Sequence, residues 1–475
     1  MNEHLNFWKE NPALKLALSL LIGTSSYLFW ETPWNWIFPL LWALYLLWLR
    51  SWIPLLLIFG GALYSWALYS THPASGKQIA YFSISSLQPH QSPFHRGFVY
   101  RGSLYTANNQ IPCAVYFQGH SPPAANCDYL LSGQLTQREG FSYTFKAKDW
   151  VPIPKTWSLA EFRFRTKETF RTFLEQKLTR PRTATFLSSL ITGDVEDRSL
   201  RYEFGRLGLQ HILAISGFHF GILIAFSSFF LSFFLSSRWK IIFLLVAVNS
   251  YFLFVGSLPA VQRSWLTAQL YLISKLIGRQ TTGLNLLGVA LLIEVILNPL
   301  VSSHIGFQLS FLSCGGILLF HPHFERWLRK FLPKRKSYTL TLLSQHGYLL
   351  SSFLRNSLSI ALSVNIALLP LLLYHFHQFP LLSLFYNLFF PFFVGGALFL
   401  LLLSLILYIL FSPIAEPFFY LTDFWTAQLL DLAAYPPLAL DYSIRVYSVA
   451  PYLIPLYLFG LFCIVQWLMY KRQNQ

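Results

Sequence analysis

The chain has 475 residues, 54% hydrophobic and 11% charged. A soluble domain carries about a quarter charged residues, so this composition excludes a single water-soluble globule and points to a polytopic α-helical membrane protein. Lys and Arg number 35 against 19 Asp and Glu, a net charge of +16, an excess suited to cytoplasmic loops, anionic lipid or nucleic acid.

Three apolar runs come first, near 13–30, 33–49 and 52–70. Each approaches the roughly 20 residues that a membrane helix needs. The first is followed by "ETPWNW", with no small-residue cleavage site, so it reads as a retained span and not as a signal peptide. Residues 1–70 are therefore expected to form three N-terminal transmembrane helices.

The texture then changes. In "GFVYRGSLY", "CDYLLSGQLTQ" and "FSYTFKAKDW", β-branched and aromatic residues alternate with polar ones at about period 2. Residues 71–157 thus read as a small all-β domain inserted between spans. A five-stranded OB-like barrel has the right size, and other small barrels stay open. Its cysteines, Cys113 and Cys127, are expected to form a disulfide if the domain is exported, the alternative being two reduced thiols. Cys314 and Cys463 fall in apolar runs and read as packing residues.

Residues 158–182 read as an amphipathic basic helix. Leu159, Phe162, Phe170, Phe173 and Leu174 share one face, and Arg163, Arg165, Lys167, Arg171 and Lys177 cover most of the rest. Such a helix either lies on a membrane surface or packs on the bundle as a linker. Its bases Arg163, Arg165, Lys167 and Arg171 are candidates for contact with phosphate.

From 183 to 470 the chain is mostly apolar. Spans are expected near 206–236, 240–256, 259–277, 283–298, 304–320, 353–374, 380–411 and 449–470, and the proline-broken stretch 413–447 either spans or lies flat. The total is about ten or eleven spans, followed by a tail at 471–475. A cytoplasmic N-terminus puts the β domain outside. It also puts Arg238–Lys240, Arg279, the cluster "RWLRKFLPKRK" at 326–336 and the final Lys471–Arg472 inside, as the positive-inside rule requires. Both termini are then cytoplasmic. Residues 71–205 break the pattern with 16 basic and 10 acidic residues on the outer face. Long loops are exempt from the rule; the sharper reading is a surface that meets a polyanion. Bases interleaved with Phe and Tyr suit single-stranded nucleic acid.

No HxHxDH, HExxH, CxxC or Walker sequence occurs. The histidine pairs at 321–323 and 375–377 lack a nearby aspartate. No metal, cofactor or catalytic residue is expected, and energy from ATP would come from another chain.

Four ordered stretches carry a resemblance. They are "SLITGDVEDRSLRYEFGRLGLQHILAISGFHFGIL" (189–223), "GSLPAVQRSWLTA" (256–268), "NPLVSSHIGFQLSFLSCGGILL" (298–319) and "NIALLPLLLYHFHQFPLLSLFYNLFFPFFVGG" (365–396). Over roughly 185–410 the chain resembles the ComEC competence-protein family, inner-membrane channels for DNA uptake. The N-terminal spans and β domain match that family by layout. Two departures stand out. Long members continue into a metallo-β-lactamase-like domain, whereas this sequence ends at Gln475, so nuclease activity is not carried over. The usual Leu-His-Val core of the central motif is here "GFHFG".

The resemblance implies passage of single-stranded DNA through the bundle, with a separate DNA receptor, nuclease and ATP-driven cytoplasmic motor as partners, beside the lipid bilayer. Its candidate path-lining residues are His211, Ser216, Gly217, His219, Arg263, Gln308, Asn365 and Asn387. Each has a plainer alternative: Arg263 reaching the interface, the amides bonding neighbouring helices, the histidines buried at a helix crossing. Glu294, a lone acid in a span, is expected to pair with a base such as Arg263 or to lie near the surface. In 208–223, Ala214, Gly217 and Gly221 form a small-residue stripe for close helix packing, unless Ser216–Gly217 marks a break that exposes backbone to a cavity. His211 and His219 lack the i, i+4 spacing of a helical metal pair. The rival functions are a small-solute transporter and a non-transport membrane scaffold.

Overall fold

The computed structural model describes residues 7–29, 36–70, 75–91, 96–106, 110–118, 122–137, 143–155, 157–195, 197–333, 342–437 and 442–473. Arg138, residues 334–336 of the basic cluster and residues 474–475 of the tail lie outside the described residues.

Helices α1 (Pro12–Leu28), α2 (Ile37–Trp48) and α3 (Trp52–Tyr69) open the chain. Of these, α3 is long and apolar enough to cross a membrane; α1 and α2 are shorter apolar helices. Glycines let α1 and α3 meet backbone to backbone. A methyl on Gly23 would stand 2.2 Å from the Ile58 carbonyl oxygen, and one on Gly61 would stand 2.8 Å from that of Leu20. Between apolar helices such close approach replaces the hydrophobic drive that lipid does not supply.

Five strands follow: β1 (Gly76–Gln91), β2 (Arg96–Tyr105), β3 (Gln110–Gln118), β4 (Cys127–Gln137) and β5 (Tyr143–Pro154). They close into a barrel of order β1-β2-β3-β5-β4, with β3 and β5 parallel and the other neighbouring strands antiparallel. Strand number and closure are compatible with the OB type. Alternate residues, among them Phe82, Tyr100, Leu104, Val115, Leu131, Leu135 and Phe145, are buried in its core. Register shifts at Ile84/Ser86 and Ser132/Gly133 give the long strands the local twist that closure needs.

The barrel corrects the disulfide. Cys113 lies opposite Tyr143 at the start of β5, and Cys127 lies opposite Pro154 at its end. Their strands, β3 and β4, are not neighbours in the barrel, and strands lie about 4.8 Å apart, whereas a disulfide needs Cα atoms within about 7 Å. Both thiols are free.

Helix α4 (Leu159–Lys177) joins barrel to bundle. Ala160 and Phe164 pack on the barrel core, and Phe170, Phe173 and Leu174 pack on the bundle. It is therefore a packed connector, the second of the two readings. The bundle continues with α5 (Pro181–Thr192), α6 (Arg198–Arg206), α7 (Gln210–Leu213), α8 (Gly217–Leu231), α9 (Ser237–Val255), α10 (Pro259–Ile277) and α11 (Gly283–Leu297). After a 3-10 turn at Pro299–Ser303 come α12 (Ile305–Leu328), α13 (Leu342–Phe376), α14 (Leu382–Leu410), α15 (Ser412–Ala434) and α16 (Leu453–Gln473). Strands β6 (Gln378–Pro380) and β7 (Ser443–Arg445) pair between them.

Among the described residues five helices are long and apolar enough to cross a membrane: α3, α9, α12, α13 and α14. Five shorter apolar helices accompany them. The expected single span at 206–236 is instead α6, α7 and α8, because Gly208 turns left-handed (φ 70) and Ala214–Ser216 run extended. In the stretch 413–447, α15 is a helix that buries Thr422, Asp423 and Thr426. Asp423 accepts hydrogen bonds from the Thr179 and Thr183 hydroxyls at the start of α5, where a helix N-terminus favours a carboxylate.

Candidate functional site in the helical bundle

The break between α7 and α8 is built by its own side chains. Ser216 has extended backbone and caps α8, its side chain accepting from the His219 N–H. His219 Nδ1 accepts in return from the Ser216 N–H at 3.2 Å. This is a capping box with histidine in the place usually taken by Glu or Gln. The buried Ile215 anchors the segment in a cluster with Phe220, Val248 and Val261. His219 is itself buried, and its Nε2 has no hydrogen-bond partner.

The neighbours of this break are open. His211 is solvent-exposed. Ala214 is exposed. A methyl added to Gly221 would meet nothing within 4 Å. The expected packing stripe is therefore overturned: helical spacing does not run through extended residues, and Gly221 touches no neighbour. The helix-packing glycines are others, Gly23 and Gly61 above and Gly288, where a methyl would stand 2.3 Å from the Leu14 nitrogen. The alternative, a break at Ser216–Gly217, describes the backbone.

Arg263 of α10 stands beside the break. It is 5% exposed. Its Nε donates to Ser310 Oγ at 2.6 Å, Nη1 to Cys314 Sγ at 3.1 Å and Nη2 to Ser264 Oγ at 3.1 Å. The guanidinium lies over the Phe311 ring, 6.0 Å from its centre. A methyl on Gly217 would be 3.3 Å from Nη2. Arg263 thus does not reach for an interface; it points into the bundle toward the first turn of α8. Glu294 is 2% exposed and neither carboxylate oxygen has a hydrogen-bond partner. The expected pairing with Arg263 holds as a charge–charge attraction without a hydrogen bond, and the expected surface position fails.

Gln308 lies in a second polar group. Its Nε2 donates to the Ser302 carbonyl at 2.8 Å, and its Oε1 is 3.2 Å from His375 Nε2, tying α12 to the end of α13. Asn365 donates to the Ala361 carbonyl one turn back at 2.8 Å, a bond within its own helix. Asn387 Oδ1 is buried without a hydrogen-bond partner. The path-lining candidates therefore divide: His211, Ser216, Gly217, His219 and Arg263 lie at or beside the break, Gln308 and Asn365 bond elsewhere, and Asn387 keeps a buried oxygen without a hydrogen bond.

The four bases of α4 have internal partners. Arg163 Nε donates to the Leu253 carbonyl, Arg165 pairs with Glu161 at 2.6 Å and Arg171 with Glu168 at 2.6 Å. Lys167 is 6% exposed and bonds Asp194 at 3.0 Å, and Gln88 of β1 donates to the other Asp194 oxygen at 3.1 Å. Burial pulls the Lys167 ammonium below the ordinary lysine range, against the pull of Asp194. Lys167 is closed to any phosphate, a correction that follows from its position between barrel and bundle. Among barrel bases Lys77, Arg101, Lys146 and Lys148 are exposed.

Sequence reasoning missed Ser264, Ser310 and Cys314 as partners of Arg263, and Asp194 as the partner of Lys167. Spacing gives no signal for contacts between distant helices. The capping box of Ser216 and His219 was missed as well, because the motif's sequence signature carries Glu or Gln where this chain has histidine.

Residues 190–471, more than half of the chain, match a family described as Competence protein. ComE operon protein 3 of Bacillus subtilis (strain 168) is 30% identical over 207 residues, 43% of this chain and 24% of that protein. The alignment thus spans about a quarter of the relative's length. No solved structure matches.

Proposed function

The chain belongs to the competence protein family, and from that premise we propose that it takes part in DNA uptake as a channel for a single strand across the bacterial inner membrane. The observation that carries the reading is the broken segment His211–Gly221: capped by polar side chains and partly open, at the entry to the apolar helix α8. Broken helices occur at membrane depth where backbone lines a cavity. In this reading both termini are cytoplasmic and the barrel faces outward. The barrel then meets the strand first, with exposed Arg101, Lys146 and Lys148 for phosphates and Tyr105 and Tyr116 as stacking faces. The chain conducts and does not cut: DNA receptor, nuclease and ATP-driven motor are separate proteins.

The test is uptake of labelled DNA by cells lacking the gene. The expected result is label that still reaches the outside of the inner membrane but fails to enter the cytoplasm. Unchanged entry sinks the channel and leaves a scaffold or a small-solute transporter.

A further inference from the structure

We infer that the exposed face of α4, the stripe Arg165, Thr169, Thr172 and Gln176, is one wall of a water-filled groove at membrane depth, and that the imported strand passes along it. The route of the strand rests on the proposed function; the water does not.

The depth of α4 follows from what its two ends touch. Phe220 near the start of α8 meets Tyr251 near the end of α9, ring centres 5.2 Å apart, so these helices are antiparallel. Helix α8 runs in the same direction as α14: a methyl on Gly395 would stand 3.5 Å from the Phe218 ring, and the Phe226 and Phe399 rings are 5.3 Å apart. The end of α9 is therefore level with Gly395, and Tyr408 lies about 20 Å farther along α14 at about 1.5 Å per residue. Helix α4 bridges that interval. At one end Arg163 donates to the Leu253 carbonyl, and the Phe170 ring lies 6.3 Å from that of Phe254. At the other, the Phe173 ring lies 5.2 Å from that of Tyr408, and Lys177 pairs with Glu416 just past the turn from α14 to α15. From Arg163 to Lys177 the helix rises about 21 Å, most of a hydrocarbon core of about 30 Å. Its neighbours α9 and α14 are both long and apolar enough to cross a membrane.

A surface at that depth meets protein, lipid or water. Ala160, Lys167 and Leu174 are buried on one side of α4. On the other, Arg165, Thr169, Thr172 and Gln176 are exposed, so no described residue covers them. Their steps of four, three and four residues hold them within about 60° of arc. Lipid is excluded by charge. Eight of the 19 residues of α4 are ionisable, and Glu168, midway along, keeps 41% of its side chain exposed. Ionisable groups inside a membrane face the protein interior or a water-filled cavity. Water is what remains. The wall is also a poor trap for phosphate. Arg165 pairs with Glu161 and Arg171 with Glu168, Glu175 is exposed near the far end, and the threonine hydroxyls donate to carbonyls of their own helix. A conduit must hold its passenger weakly enough to release it.

The test uses full-length protein with Cys113, Cys127, Cys314 and Cys463 replaced by Ser and one new cysteine at a time, in phosphatidylcholine nanodiscs. The probe is a charged, water-soluble methanethiosulfonate. The controls are Leu56→Cys of α3 and Val246→Cys of α9, exposed apolar positions on spanning helices. Thr169→Cys and Thr172→Cys are expected to react at least about tenfold faster than the controls, a barrier difference of about 1.4 kcal/mol. In competent cells, Thr172→Cys is then treated with a negative and with a positive methanethiosulfonate of similar size. Entry of labelled DNA is expected to fall further with the negative adduct, which repels a polyanion.

Threonine-site cysteines as unreactive as the controls overturn the groove, and disulfide-linked dimers formed through them assign the face to a second copy instead. Reactive cysteines whose negative and positive adducts leave DNA entry alike, while gene deletion blocks it, refute the strand's route and leave the channel reading standing. If gene deletion leaves entry unchanged, the channel reading fails, and reactivity alone decides the groove.

Discussion

Lys167 stands in sequence among bases offered to phosphate, but the fold closes it against Asp194 with Gln88 of the barrel on the same carboxylate. Removing one member leaves the other buried without a counter-charge. Lys167→Met is expected to destabilise the protein by roughly 3–5 kcal/mol, and adding Asp194→Asn should recover much of it. A double-mutant cycle by thermal unfolding in detergent checks this; a double-variant cost equal to the sum of the two single costs would show that the pair is not coupled. Asp128 makes a pH-dependent contribution. Burial alone would raise its carboxyl, but Lys155 at 2.5 Å and the Tyr81 hydroxyl hold it below the ordinary aspartate range. A depressed carboxylate contributes stability above its unfolded pKa, near 4, and loses it as pH falls through the folded value. Asp128→Asn should therefore unfold the barrel at lower temperature than wild type at pH 7, with the two converging below about pH 3. Melting curves across that range decide the matter, and a constant gap would refute it.

Helix contacts turn on which small residues actually meet a neighbour. Gly23 and Gly61 sit where α1 and α3 touch, and Gly221 faces open space. Gly23→Ala or Gly61→Ala should cost about 1–3 kcal/mol through overpacking. Gly221→Ala, in a helix interior, should stabilise by about 0.5–1 kcal/mol. Thermal shifts of the three variants would expose an error if Gly221→Ala proved the most damaging. The sequence stripe Ala214–Gly217–Gly221 misled because it assumed one continuous helix. What interrupts that helix is an exchange of hydrogen bonds between Ser216 and His219, which offers the backbone an alternative to the helical ladder.

For the molecule as a whole, charge placement predicts an orientation with the barrel outside. Single cysteines at Lys77 or Lys146 of the barrel should react with a membrane-impermeant maleimide from outside intact spheroplasts. Cysteines at Lys240 or Arg279 should react only after permeabilisation. The reverse pattern would invert the topology and place the barrel in the cytoplasm. The barrel, its connector α4 and the bundle also share buried polar contacts, Gln88–Asp194 and Glu161 with the Ala125 N–H at 2.9 Å. Barrel and bundle are therefore coupled through ordered groups and not through a loose linker.

Apolar run length, strand alternation and the change of texture near 71 and 158 determined, without coordinates, a helical chain with a small inserted barrel. These are properties of neighbouring residues and repeat with the period of helix or strand. The four ordered motifs likewise indicated the family that residues 190–471 match. Only tertiary structure decided which polar side chains belong together. It placed Cys113 and Cys127 on strands that are not neighbours, buried Lys167 on Asp194, left both Glu294 oxygens without a hydrogen bond, and aimed Arg263 at the first turn of α8. Those outcomes depend on contacts between residues far apart in the chain, where the energy of a charge is set by what packs against it and not by its neighbours in sequence.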